Sequence, residues 1–282
     1  MYMKIKASSL QSMALGMSSA QRSIDSLTEA ARSWGLDFNI AKCVAMRYLL
    51  GTLDPHLVAS LGALAHYYLD GEQISFTTTH KDLGVLVDNK LKYHAHILST
   101  TQKAAGMANN IIRSTLCRSP TFMRFIWITY VRPIIEFGST LWNSGYVTDL
   151  RLLESVQRRW TKNVQGLENL PYNERISSLN LFSIRGRLIR ADLILYWKIF
   201  HDHSTIKPAD LFSLEVRPGN RGHPYKIATR FARSETRRRS FSFRQVAIWN
   251  DLPQAVVTSS SLAVFKRNLL LFRRDLLYEY YV

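Results

Sequence analysis

The chain has 282 residues, 46% of them hydrophobic and 11% aromatic. That is enough apolar material for one large folded domain or two small ones, and too much for a disordered chain. Its 37 Lys and Arg against 21 Asp and Glu leave a formal charge of +16, an excess that favours polyanions, nucleic acid first among them.

Residues Met1 to Ala20 mix Lys4 and Lys6 with Ser and Gln and contain no apolar core of a secretory signal. The chain is therefore expected to be intracellular, nuclear or cytoplasmic, and not secreted. Ser18 to Trp34 is predicted as a helix, with Ile24, Leu27, Ala31 and Trp34 on one face and Gly35 placed to stop it. "LDFNIAKCVAMRYL" follows with alternating, β-branched character. "HYYLDGEQISF" places two short apolar runs around Asp70-Gly71, a dipeptide that favours a hairpin turn. "KDLGVLVDNKL" gives a further strand, Val85 to Val87, after Gly84. Residues 1–92 thus read as a helix with antiparallel strands.

From Tyr93 onward helices dominate. His94 and His96, like His201 and His203, lie two apart, so neither pair shares a helix face, and both read as solvated helix ends. Two cysteines, Cys43 and Cys117, make neither a disulfide framework nor a zinc site. The most apolar stretch, Phe122 to Trp142, holds Arg124, Arg132 and Glu136 with Pro133 in its middle. Charges at that depth are costly in lipid, so a buried helix pair is expected rather than a membrane span. Arg132 and Glu136, four apart, read as a structural ion pair, and Trp127, Trp142, Trp160 and Trp197 as core.

Asp149 to Val164 is amphipathic, with Leu150, Leu153, Trp160 and Val164 on one side and Arg151, Glu154, Arg158 and Lys162 as a polar stripe on the other. Ser183 to Phe200 is another helix, carrying Arg185, Arg187 and Arg190 in its first two turns. "RPGNRGHP", Arg217 to Pro224, reads as a loop and a boundary. Beyond it the charge is lopsided: Arg217 to Arg274 holds thirteen Lys or Arg against two acids. Within this region Ser242 and Gln245 have the spacing of a capping box. Phe243, Val246 and Trp249 would share a face of the helix it starts, which leaves Arg237, Arg238 and Arg239 as phosphate contacts. A last helix carries Leu262, Phe265, Leu269, Phe272 and Leu276 behind a serine N-cap. The expected fold is α+β in three parts: 1–92, 93–216 and a basic 217–282.

No G-x-S-x-G elbow, P-loop or G-x-G-x-x-G occurs, and no two acidic residues are adjacent anywhere. Residue chemistry alone stops at a basic, mostly helical nucleic-acid binder.

Four stretches go further. "WGLDFNIAKCVAM" (Trp34 to Met46), "HKDLGVLVDNKLKYHAHI" (His80 to Ile97), "TYVRPIIEFGSTLWN" (Thr129 to Asn143) and "RRRSFSFRQVAIWNDLP" (Arg237 to Pro253) with its continuation into "FKRNL" occur in that order. Together they resemble the end of the palm, the primer-grip hairpin, the thumb and the basic C-terminal region of the reverse transcriptase of non-LTR (LINE-type) retrotransposons. In that family the catalytic Asp-Asp motif comes just before the segment that here reads "MKIKASS"; this chain opens "MYMKIKASS" with no Asp pair ahead of it. The resemblance implies a truncated RNA-directed DNA polymerase, inactive alone and without the Mg²⁺ its intact parent would hold. It makes Lys42 the match of a palm general acid and Lys81, Leu83 and Gly84 the match of the primer-grip turn. It makes Arg158, Arg159, Lys162, Arg185, Arg187 and Arg190 thumb candidates for duplex phosphates. The expected partner is an RNA–DNA or DNA duplex, with no small-molecule substrate, metal or membrane. The alternative is a non-enzymatic RNA- or DNA-binding protein retained by a host.

Overall fold

The computed structural model describes residues 10–48, 66–214 and 222–272. Most of the expected 217–224 loop and Leu276 lie outside these residues. The fold is α+β, and the chain divides into two units, Met1–Lys90 and Leu91–Val282, against the expected boundaries at 92/93 and 216/217.

The first unit opens with helix α1 (Leu10–Ser33), followed by a 3-10 turn at Ile40–Lys42. Gly35, at φ 67, ends α1 in the left-handed conformation that costs glycine least. Among the described residues five strands follow: β1 (Val44–Met46), β2 (Tyr67–Leu69), β3 (Glu72–Thr77), β4 (Thr79–Asp82) and β5 (Val85–Asp88). Asp70 and Gly71 turn β2 into β3, and Leu83 and Gly84 turn β4 into β5, both with two successive positive φ values. These are the two-residue turns whose twist matches that of antiparallel strands. Beyond the expected antiparallel pairs, β1 joins β3 in parallel, with Val44 opposite Ser75. The long stretch between Met46 and Glu72 supplies the length that a parallel connection needs.

Burial among the described residues of this unit is sparse. Ala20, Leu69, Ile74, Val85 and Val87 are buried, whereas Leu27 and Trp34, expected on the apolar face of α1, are exposed. What fixes α1 to the sheet is polar: the Gln21 amide donates to the Tyr68 carbonyl at 2.8 Å and accepts from the Tyr68 N–H at 2.9 Å.

The second unit is helical. Helix α2 (His94–Ser114) leads to a composite rod made of α3 (Pro120–Ile126), a π-helical turn (Trp127–Val131) and α4 (Arg132–Glu136). Met123, Trp127, Val131 and Ile135 are all fully buried along this rod. They step by four, and in a regular helix each such step drifts about 40° around the axis. The wider π turn takes up that drift and keeps the row on the core. Pro133 falls just after the π turn, in the first turn of α4, where a missing N–H costs little. The chain bends after Phe137, at Gly138 (φ 63), into α5 (Ser139–Trp142).

Helix α6 (Val147–Thr161) packs on α2, and α7 (Tyr172–Ser178) and α8 (Ile184–Phe200) follow. After α9 (Pro208–Leu211), the described residues form five further helices: α10 (Glu235–Arg238), α11 (Phe241–Arg244), α12 (Val246–Asp251), α13 (Gln254–Val257) and α14 (Leu262–Phe272). They do not form a core of their own. Trp249, Val257, Phe265 and Leu269 share one apolar cluster with Leu193, Tyr196 and Trp197 of α8. The four tryptophans expected in the core are there, and Trp249 joins them, each at most 1% exposed.

Candidate nucleic-acid interface

Buried charge fixes the frame of the second unit, beginning with Glu154. Expected on the polar stripe of α6, it is 3% exposed. Its carboxylate accepts from the Ile184 N–H at 2.9 Å, the Arg185 N–H at 3.4 Å and the Tyr172 hydroxyl. It thereby sits on the N-terminus of α8, where partial positive charge and free N–H groups gather. Burial nevertheless pushes its pKa up to about 7, and the hydrogen bond from Tyr172 works in the opposite direction. The other end of α6 is closed by Arg175, buried, which donates to the Leu170 carbonyl at 2.8 Å and the Thr161 hydroxyl at 3.1 Å.

A second buried charge ties the C-terminal helices to α8. Arg244 grips Asp192 with both arms of its fork, at 2.8 and 2.7 Å, and also donates to the Thr140 carbonyl. Asp192 is fully buried, so this is a desolvated pair, and its carboxylate also accepts from the Gln245 amide at 3.4 Å and from Asn143. Gln245 therefore does not serve a capping box. It breaks the chain between α11 and α12, and Ser242 starts no helix. Nearby, Asn250 donates to the Ile227 carbonyl and accepts from the Ile227 N–H, and His223 meets the Trp249 carbonyl at 3.0 Å.

Two of the four histidines differ from the solvated expectation as well. His96 is buried and His201 stacks on Trp197 with ring centroids 4.2 Å apart, whereas His94, though bonded to the buried Asp149 at 2.6 Å, and His203 are exposed as expected. Among the described residues no group of three or more His, Cys, Asp or Glu could hold a metal ion, and no helix is long and apolar enough to cross a membrane.

Against this frame the sequence-derived site residues separate into spent and available cations. In the first unit Lys42 stands exposed in the 3-10 turn, Lys81 is exposed on β4, and Leu83 and Gly84 form the β4–β5 turn, with Leu83 90% exposed. In the second unit Arg159 and Lys162 are exposed at the end of α6, and Arg158 lies half-buried over the Tyr172 ring at 4.8 Å. Arg187 is spent: it makes a two-pronged pair with Glu136, at 2.6 and 2.8 Å. The expected local pair, Arg132 with Glu136, is only a 3.8 Å contact. Arg185 and Arg190, half-buried, flank Arg187 on α8.

The Arg237–Arg239 run splits too. Arg239 donates to Glu235 at 2.6 Å and to the Gly145 carbonyl at 2.8 Å and lies 4.1 Å over the Tyr146 ring, so it straps α10 to the turn before α6. Arg237 and Arg238 remain exposed, with Arg237 over the Phe243 ring and Arg238 in a surface pair with Glu235 at 3.2 Å. They border a groove of about 450 Å³ whose walls include Phe243 and Phe231, the latter 89% exposed. Cations beside open aromatic rings are the pairing that single strands use, phosphate on one and base on the other.

Neither Glu154 nor Gln245 was singled out from the sequence as buried, because Glu154 sits at helical spacing among polar neighbours and Gln245 has the spacing of a capping box. No family profile matches the chain, and no solved structure resembles it. A Caenorhabditis elegans protein described as uncharacterized is 24% identical over 135 residues, which cover 45% of this chain and 68% of that protein.

Proposed function

We propose that the chain is a C-terminal part of a non-LTR retrotransposon reverse transcriptase that binds nucleic acid through its phosphates and does not polymerise by itself. What carries this reading is the order of four family-like motifs along one chain of charge +16. The exposed cations of the second unit support it: Arg159, Lys162, Arg237 and Arg238 stand at the surface, where contacts to phosphate are largely indifferent to sequence. Polymerase chemistry needs carboxylates gathered around two metal ions, and the chain has no two adjacent acids from which a hairpin could present them.

The test is a binding titration with a labelled RNA–DNA hybrid at several salt concentrations. The expected result is binding at low salt whose log K falls linearly with log salt. No binding at about 50 mM salt, a concentration at which phosphate-driven complexes are tight, overturns the binding claim. Primer extension by the purified chain with Mg²⁺ overturns the claim that it does not polymerise.

A further inference from the structure

The rod α3–π–α4 and helix α8 bring three guanidinium groups, of Arg132, Arg187 and Arg190, close to the Glu136 carboxylate, with Arg124 beside Arg132. Arg187 and Glu136 form the two-pronged pair at the centre, with side chains 19% and 23% exposed. Arg132 touches Glu136 at 3.8 Å and is 25% exposed. Arg124 lies close enough to Arg132, and Arg132 close enough to Arg190, for each to weigh on the other's charge. Burial pushes both Arg132 and Arg190 down from the usual arginine range, and the positive charge of Arg187 adds to the effect in each case.

The π turn is what assembles this cluster. Along a regular helix the eight positions from Arg124 to Arg132 would leave them roughly 80° apart around the axis. One extra residue in the π turn takes back about 100°, which returns the two to within about 20° of each other. Arg187 and Arg190 are one turn apart on α8, so they share a face without help.

Two observations show that the cluster is short of negative charge. Glu136 already gives both carboxylate oxygens to Arg187. The Nε–H groups of Arg124 and Arg190 are buried and have no acceptor among the described residues. Buried donors are nearly always satisfied, and an unmet one points to a water or an ion. Like charges held together in a half-desolvated site repel one another, and a tetrahedral oxyanion removes the repulsion while supplying acceptors for several planar forks.

We propose that Arg124, Arg132 and Arg190, braced by the Arg187–Glu136 pair, form a seat for a phosphate group. Where that phosphate belongs to a nucleic-acid backbone, the proposal rests on the binding function above; a free phosphate would occupy the same seat without it.

The test uses the full chain and an Arg124→Gln/Arg190→Gln variant, which leaves the Arg187–Glu136 pair intact. Two probes are read: thermal melting with inorganic phosphate against chloride at matched ionic strength, and anisotropy of a labelled oligonucleotide across a salt series. Phosphate is expected to raise the melting temperature of the wild type and not of the variant. Without phosphate the variant should melt no lower than the wild type, because it loses repulsion; a purely structural role for the two arginines would lower it. If the phosphate is a backbone phosphate, the variant should bind the oligonucleotide about tenfold more weakly, with a salt slope reduced by about one to two. If oligonucleotide binding is unchanged but the phosphate shift is lost, the seat holds and its ligand is a free phosphate. Equal phosphate shifts and equal oligonucleotide binding in both proteins overturn the seat. An Arg132→Lys variant, which keeps charge but not the fork, gives a second reading: it should retain the melting temperature and lose part of the phosphate shift, and an unaltered shift counts against the seat. Absence of oligonucleotide binding by the wild type overturns the function proposed above and leaves the phosphate arm standing.

Discussion

Two arginine-rich regions of Leu91–Val282 use the same side chain in opposite ways. In Arg237–Arg244 the run that looks most like a nucleic-acid clamp is half structural: Arg239 straps backbone carbonyls and Arg244 is locked onto Asp192. In the region from Arg124 to Arg190 the arginines are scattered through apolar helices, yet they meet around Glu136 with donors left over. Local density of positive charge is thus a poor guide to which cations are free. What decides is whether a carboxylate or carbonyl from a distant part of the chain reaches them.

The sharpest way to break this contrast is at Asp192. Asp192→Ala strands the buried Arg244 guanidinium, and stability measured by denaturant unfolding should fall by about 3–5 kcal/mol; a loss below about 1 kcal/mol, the scale of a surface pair, would mean that Arg244 is not locked there. The next effect is at Glu154. Its pKa of about 7 lies above the unfolded value near 4.5, so between those pH values the folded chain holds a proton that the unfolded chain has lost. Its contribution is greatest below the unfolded value and falls by on the order of 3 kcal/mol as pH rises through the window to about 7. Unfolding at pH 5 and pH 8 for the wild type and Glu154→Gln should show a gap that changes between the two pH values. A gap constant with pH would place the carboxylate in the ordinary range.

Smaller effects sharpen the split within the C-terminal run. Arg239→Gln should cost about 1–2 kcal/mol of stability, since it removes charged hydrogen bonds to carbonyls in a partly exposed site. Arg238→Gln should leave stability within about 0.5 kcal/mol, as for most surface changes, while lowering the salt slope of nucleic-acid binding by about one. The reverse pattern for these neighbours would show that the strap and the exposed cation have been exchanged.

How much of this was legible in the sequence depends on the range of the interaction. The Asp70-Gly71 turn was visible because a two-residue hairpin is decided by two residues, whereas the Leu83-Gly84 turn, with Leu83 at φ 44, followed from the family resemblance alone. The amphipathic helices were visible for the same local reason, as was the serine start of α14, where the Ser261 hydroxyl accepts from the Val264 N–H. The Arg132–Glu136 pair shows the limit: spacing finds a partner four residues away but cannot see that Arg187, 51 positions on, offers a better fork. Helical spacing likewise put Glu154 on a solvated stripe, because nothing local announces that the start of α8 will arrive over it. The π turn left a trace in the four-step row of Met123, Trp127, Val131 and Ile135, a period too long for an ordinary helix. The exposed Trp34 shows the opposite error, an apolar periodicity that the described residues of the first unit do not cover.

The Gln21 amide on Tyr68 has one more consequence. A three-stranded sheet ordered β1-β3-β2 has β2 as an outer strand, and outer strands invite pairing with other chains. Gln21 occupies both hydrogen-bonding groups of Tyr68 from a helix, at 2.8 and 2.9 Å. The side chain stands in for a further strand and ends the ladder there, so one glutamine on α1 protects that border of the sheet against self-association.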